Sequence, residues 1–444
     1  MNRILSHNEH TGKMESAYYH TFSGDRYTNV EYTRSKFLLP FKKEYIRRIS
    51  DGVEKKKDFP GIIGTIIKNT LKIKRFDVLS YYQDHNNSPS VRSLHTARLL
   101  FIIRGQIYYY SMYDNKMLCL SKDVIETVCH DRFYIIGLSD VLNLTRYYGE
   151  FSLYASILDA GHLLYNVKNT LIGSGEAFQL FRHFPVKRIY EKASIDPNTT
   201  YLSFALAISE TEMSWDDCFS VVDGYDERLT LGYDELHGSY FLRNLLDDYN
   251  ERTVMEANRI ESEGIPYLEV PSMLTRTSAH TTVGNNNFAE TFDDFDPAEV
   301  LDLIKRSGPM FSNRKTDYCF LVKNEGKESI YWSDFSVTDR PIDYRSTMYN
   351  AYKFFDMHSY RFILVCFTKT SHLATSGLVD HIISAGEIMQ LTASYAGLKG
   401  YAFRPMKNHH DRYLKEVLSL GDDTEINFMG VVCNSPIHQL SEYV

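Results

Sequence analysis

The segment LDAGHLLYNVKNTLIGSGEAF at 158–178 lies over ISAGEIMQLTASYAGLKGYAF at 383–403 without a gap. A shift of 225 residues brings Ala160 onto Ala385, Gly161 onto Gly386, Gly175 onto Gly400, Ala177 onto Ala402 and Phe178 onto Phe403. A chain that writes one pattern twice at this spacing folds as two copies of a domain, and 444 residues already exceeds what a single core usually organises. In the first copy Leu158, Leu163, Leu164 and Val167 recur at helical spacing; in the second Ile382, Ile383, Ile388, Met389 and, less regularly, Leu391 do the same. The Ala-Gly pair near each start leaves room for close helix approach. Each helix then runs into a glycine-bearing turn, IGSGEAF or GLKGYAF, where small residues permit unusual dihedrals or close contact with a ligand.

The register extends outward. Amphipathic stretches VKRIYEKASI and DRYLKEVLSL follow the turns, then apolar strands SFALAI and NFMGVV; upstream, RLLFII and YCFLV precede GQIYYYS and ESIYWSD. In DFDPAEVLDLIKRSG, Asp296 is placed to cap a helix, Pro297 suits its first turn and Gly308 ends it. Arg-x-Ser occurs twice, as Arg48-Ile49-Ser50 and Arg276-Thr277-Ser278, once before each half. The expected organisation is an extension over 1–40, a first domain over 41–245, a polar linker over 246–264 read as helical, and a second domain over 265–444.

Composition removes several function classes. With 43% apolar and 24% charged residues the chain is ordinary globular material, without long disordered regions. A net charge of -8 and scattered basic residues give no nucleic-acid footprint, and the run EKKK at 54–57 reads as a solvated loop. No window approaches a membrane span, and the first ten residues lack the apolar core of a signal peptide, so a cytoplasmic protein is expected. The six cysteines are far apart, with no CxxC, which argues for buried thiols over a disulfide framework or zinc. His409 and His410 are adjacent and diverge on a strand or helix, so no shared metal is expected.

Together RRIS, SPSVRSLH, RYYGEFSLYASILDAGH and GEAF resemble the flavin-dependent nitroreductase superfamily, and within it the azoline dehydrogenases of the streptolysin-S, cyanobactin and thiopeptide type. The second half keeps RTS and GYAF but has SAGE for DAGH and Pro309-Met310 for Pro-Ser, and so resembles a diverged copy. The resemblance covers about residues 40 to 435. It implies an α+β fold, a tandem duplication of nitroreductase-like domains forming an intrachain pseudo-dimer, with FMN held in the groove between the domains.

By that resemblance Arg276 and Ser278, or Arg48 and Ser50, would hold the flavin phosphate through charge-assisted donors; a surface loop is the alternative for each pair. Pro89 and Ser90 would reach the flavin of the neighbouring domain. That pairs Ser90 with the Arg276 anchor and leaves Arg48 and Ser50 with Pro309-Met310, which lacks the hydroxyl, so one good flavin site is expected. Ala177, or Tyr401 and Ala402, would bring a backbone N–H to the flavin ring; a turn that only packs Phe178 or Phe403 is the alternative.

Azoline dehydrogenases place a Lys-Tyr pair shortly before the DAGH helix. Here Tyr148 matches the tyrosine and Tyr147 replaces the lysine, with Arg146 adjacent as a cation able to lower a phenol's pKa. A packing role for both tyrosines is the alternative. The implied partners are a precursor peptide, with a cyclodehydratase and peptide-recognition proteins, and a homodimer of tandem chains is left open. Two other activities stay open. One is a flavin reductase of dehydroamino acids or small electrophiles using a nicotinamide donor; the other is a peptide-binding scaffold whose flavin pockets have decayed at Met310 and Glu387.

Overall fold

The computed structural model describes residues 53–77, 84–112, 115–121, 132–184, 186–193, 195, 197, 199–209, 215–223, 256–269, 295–324, 327–349, 360–372, 377–434 and 441–443. From the amino end it runs through β1 (Val53–Pro60), α1 (Gly61–Thr70), β2 (Arg75–Asp77), β3 (Asp84–His85), β4 (Ala97–Ile103), β5 (Gln106–Ser111), β6 (Lys116–Ser121) and β7 (Arg132–Asp140). There follow α2 (Leu142–Tyr148), α3 (Ser152–Gly173), β8 (Phe178–His183), α4 (Val186–Ala193), β9 (Thr200–Ser209), β10 (Trp215–Asp223) and β11 (Glu256–Ile260). The second half holds α5 (Pro297–Ser307), β12 (Asp317–Asn324), β13 (Lys327–Trp332), β14 (Val337–Asp339), β15 (Phe362–Lys369), α6 (Leu378–Leu398), β16 (Tyr401–Met406), α7 (Asp411–Val417), β17 (Thr424–Asn434) and β18 (Ser441–Tyr443).

The chain divides into two compact units, one drawn from Val30–Lys74 and Ser90–Tyr267, the other from Arg75–Pro89 and Leu268–Tyr443. The first carries a nine-stranded sheet in the order β1-β10-β6-β5-β4-β7-β9-β8-β11. The second carries a six-stranded sheet, β14-β13-β12-β15-β17-β16, and a small one, β18-β2-β3. The inner order β5-β4-β7-β9-β8 of one sheet is the order β13-β12-β15-β17-β16 of the other. The helices also correspond in chain order: α1 with α5, α3 with α6, α4 with α7. The repeat in the sequence is therefore a tandem duplication of an α+β domain.

Strands β9 and β15, inside their sheets, are buried on both faces at every residue but the last, which is why they read as continuous apolar runs. In β15, Ile363, Val365 and Phe367 pack with Met429, Val431, Leu414 and Val417, and the intervening Leu364 and Cys366 are buried too. In the first unit Leu100, Ile102, Ile136 and Leu202 pack under Val186, Ile189 and Tyr190 of α4. Each such side chain contributes about 1.5 to 3 kcal/mol of burial.

Helix α3 is buried at every position from Ser152 to Ile172, and α6 at nearly every position, so neither shows a polar stripe. Asp159 on one and Ser384, Glu387 and Gln390 on the other use their side chains in hydrogen bonds to loops, and that governs the site below. Helix α3 ends in a Schellman cap, Gly175 N donating to Ile172 O at 2.9 Å and Glu176 N to Leu171 O at 2.9 Å, with Gly175 at φ +74°. Gly400 repeats this at φ +80°, its N–H bonding Gly397 O.

Three local expectations are corrected. The EKKK run is part of strand β1, paired with β10 at the outer edge of the nine-stranded sheet. The polar stretch read as a linker helix contains strand β11, antiparallel to β8, with Ile260 opposite Phe178, so it completes the first sheet. Asp296 does cap α5, accepting from Ala298 N at 2.8 Å, but Gly308 has φ −46° and continues into a 3-10 turn through Pro309 and Met310. The helix stops because Pro309 cannot extend it.

Candidate functional site

The DAGH helix grips the Pro-Ser loop. Asp159, 4% exposed, accepts from Ser90 Oγ at 2.9 Å, Val91 N at 3.2 Å and Thr96 Oγ1 at 3.0 Å. Ser90 Oγ in turn accepts from His95 N at 2.9 Å. Burial pushes the Asp159 carboxyl up to about 7, and the donors from Ser90, Val91 and Thr96 pull the other way. Ser90 thus gives its hydroxyl proton to Asp159.

The loop so held is strained. Arg92, Ser93 and His95 have φ of 56°, 49° and 48°, the left-handed region, at about 1 kcal/mol or more apiece for residues with a Cβ. Three donors to one carboxylate hold that conformation. Its result is the placement of Arg92, whose guanidinium carbon lies 4.4 Å from the ring centroid of Tyr147 and 5.6 Å from that of Tyr148, both half-buried at the end of α2. The Tyr148 ring also contacts Phe151 at 6.1 Å. The cation shown beside the tyrosine pair is therefore Arg92. Arg146 sits in α2, and its side chain lies outside the described residues.

The second half rebuilds the same grip with different letters. Ser384 stands where Asp159 stands and Glu387 where His162 stands. Asn313 N donates to Ser384 Oγ at 2.5 Å and Ser312 N to Glu387 Oε2 at 2.7 Å. The His381 ring lies 2.9 Å from Asn313 Nδ2 and 3.1 Å from Thr316 Oγ1. The anchoring carboxylate has moved one helical turn along α6. Glu387 holds this loop through Ser312 N–H, and Met310 just ahead of it is buried. Further along α6, Gln390 Nε2 donates to Asn87 O at 3.0 Å and fixes the segment that ends at Pro89 in this unit.

At Gly175 and Gly400 an added Cβ would meet nothing within 4 Å, so both turns face open space. Beside them Ala177 is half-buried, Ala402 fully buried and Tyr401 nearly so. Arg48, Ser50, Arg276 and Ser278 lie outside the described residues. Cys119, Cys319 and Cys366 are buried free thiols, and burial raises the latter two. His409 bonds Asp411 at 2.5 Å while His410 stacks on Tyr413, so the pair diverges. Among the described residues no cluster could hold a metal ion, and no helix is long and apolar enough to cross a membrane.

The sequence pointed to DAGH and to the tyrosines but missed Arg92. The only signal was the charge inside SPSVRSLH, and nothing in sequence shows that the loop turns left-handed there.

No family model matches the sequence, and no curated protein does. Among solved structures the chain is similar to a protein of Anabaena variabilis assigned as a nitroreductase, with 14% identity over 96% of this chain and 100% of that one, at a TM-score of 0.67. A Ralstonia eutropha protein with the same assignment aligns over 36% of this chain and 86% of its own, at 17% identity and a TM-score of 0.26. The E. coli microcin synthetase McbBCD complex, with truncated pro-MccB17 bound, aligns over 35% of this chain and 62% of that one, at 11% identity and a TM-score of 0.24. The first of these spans both halves, and it gives the chain a nitroreductase-like fold.

Proposed function

We propose that this chain is an FMN-dependent dehydrogenase that oxidises thiazoline or oxazoline rings to thiazoles or oxazoles in a ribosomally made peptide, working beside a cyclodehydratase and peptide-recognition proteins. The observation that carries the reading is the corner built by Asp159: a gripped loop that sets a guanidinium over two tyrosines just ahead of the DAGH helix. Aromatising an azoline removes one ring proton and one hydride. When bound, FMN supplies the hydride acceptor, which dioxygen reoxidises. Tyr148, as the phenolate, would take the ring proton and become the neutral phenol.

Toward the flavin, Arg276 and Ser278 hold the phosphate, while Ala177, Tyr401 and Ala402 line the turns the ring approaches. Arg48 and Ser50 form the weaker anchor. Pro89 and Ser90 shape the loop from behind.

Tyr147 in place of a lysine favours a second reading, a flavin reductase drawing on a nicotinamide donor. One experiment separates the two. The purified chain is scanned for a flavin spectrum and given a thiazoline peptide in air. Loss of H2 per ring supports the dehydrogenase, NADPH oxidation without ring oxidation supports the reductase, and a colourless protein that takes up no FMN refutes both. Tyr148→Phe is expected to retain flavin and slow ring oxidation at least about tenfold. Arg276→Ala is expected to lose more flavin than Arg48→Ala.

A further inference from the structure

We propose that Arg92 is a positioning residue for the tyrosine pair: its guanidinium, set by the left-handed loop, orients Tyr148 and stabilises its phenolate, the part a lysine would play at position 147. The inference rests on the assignment of Tyr148 as the base but concerns a property of the chain itself.

The backbone supplies the first argument. At φ 56° and ψ 23° a glycine would sit without strain, and the chain instead places its longest cation there. A residue in that conformation persists where its surroundings over-determine it, and the surroundings here are Asp159 and its donors. Geometry supplies the second. The side chain turns back over the Tyr147 ring at 4.4 Å and reaches Tyr148 at 5.6 Å. Both approaches are within cation–π range, and both favour an anionic ring over a neutral one.

Among the described residues, Arg92 is the cation that lies over both tyrosine rings. Asp159 on α3 is turned to Ser90, Val91 and Thr96. Asp140 at the end of β7 is paired with Arg98 of β4 at 3.8 Å. The side chains of Arg146 and Glu150, the ionisable neighbours on Tyr148's own segment, lie outside the described residues. Tyr147, stacked under the guanidinium, fixes its height above the pair.

The test uses the full chain with 3-fluorotyrosine at position 148, read by 19F NMR against pH, in the parent, Arg92→Gly and Arg92→Lys. Gly relieves the left-handed backbone, so folding is retained and a melting curve verifies it. The phenol of the Gly variant is expected to titrate at least about half a pH unit higher than in the parent, and the Lys variant to lie between them. With substrate and flavin, the ascending limb of the rate profile, along which the phenolate forms, moves by the same amount, and Lys recovers part of the lost rate. Identical titrations in the parent and Gly variants overturn the proposal, as does a Lys variant matching Gly in both titration and rate. Because the NMR titration needs neither flavin nor turnover, an absence of azoline oxidation refutes the proposed activity without touching this result.

Discussion

Replacing Asp159 by asparagine turns a buried ionisable anchor into a neutral one of the same size, and the structure fixes what should follow. The folded carboxyl titrates at about 7, the unfolded one at the ordinary 3.8. The native state therefore binds more protons than the unfolded state between those values, and its stability falls as pH rises through that window. The full interval is worth about 4 kcal/mol, of which about 3 kcal/mol falls between pH 5 and pH 8.

The Asp159→Asn variant has no such dependence. It loses part of the donor set from Ser90, Val91 and Thr96 at every pH, about 1 to 3 kcal/mol. The variant should thus be less stable than the parent at pH 5, and the gap should close or reverse at pH 8. Urea unfolding of both proteins at the two pH values, followed by the fluorescence of the first unit, measures the double difference. If the gap is the same at pH 5 and pH 8, the carboxylate is ionised throughout, the three donors outweigh burial, and the reasoning fails.

Other outcomes follow from the same geometry. Gly400→Ala places a Cβ in open space at φ +80° and should cost about 1 kcal/mol in a melting experiment, with Gly175→Ala alike. Gly430→Ala, whose Cβ would fall 2.2 Å from Phe403 Cζ, should cost clearly more, about 1 to 3 kcal/mol of overpacking. Glu387→Ala leaves Ser312 N–H buried without its acceptor and should lose about 1 to 3 kcal/mol, while Glu387→Gln retains an acceptor and most of the stability. A fragment beginning at residue 265 lacks β2 and β3 and the Asn87 carbonyl that Gln390 bonds, so limited proteolysis should cut it faster than the same region in the full chain.

What was legible in the sequence is what repeats or alternates. The duplication, the two long helices, their glycine turns and the apolar strands all follow from period and register, because buried elements leave long signals. The loop at 90–96 was legible as a motif but not as a shape: three residues with side chains adopt φ values that propensity assigns to glycine, and the carboxylate responsible lies on another element 69 positions from Ser90. The contact that Glu387 makes with this loop was hidden for the same reason. A carboxylate displaced by one turn of helix looks like a loss in a column and a replacement in three dimensions. The strand in the polar stretch at 256–260 carries no alternation, since its pairing with β8 is set by the neighbour it covers.

The exchanged segment imposes an order on synthesis. Asp77 of β2 pairs with Ser441 of β18, 364 positions later, while the strands on either side of the segment belong to the earlier unit. At about 5 to 20 residues per second, a ribosome needs roughly 20 to 70 s to cover that distance. The first unit, complete in sequence by Tyr267, folds with a stretch in its middle that it does not keep. The nascent protein therefore carries β2 without this partner until β18 emerges, and that interval is when a protease or a chaperone would find it.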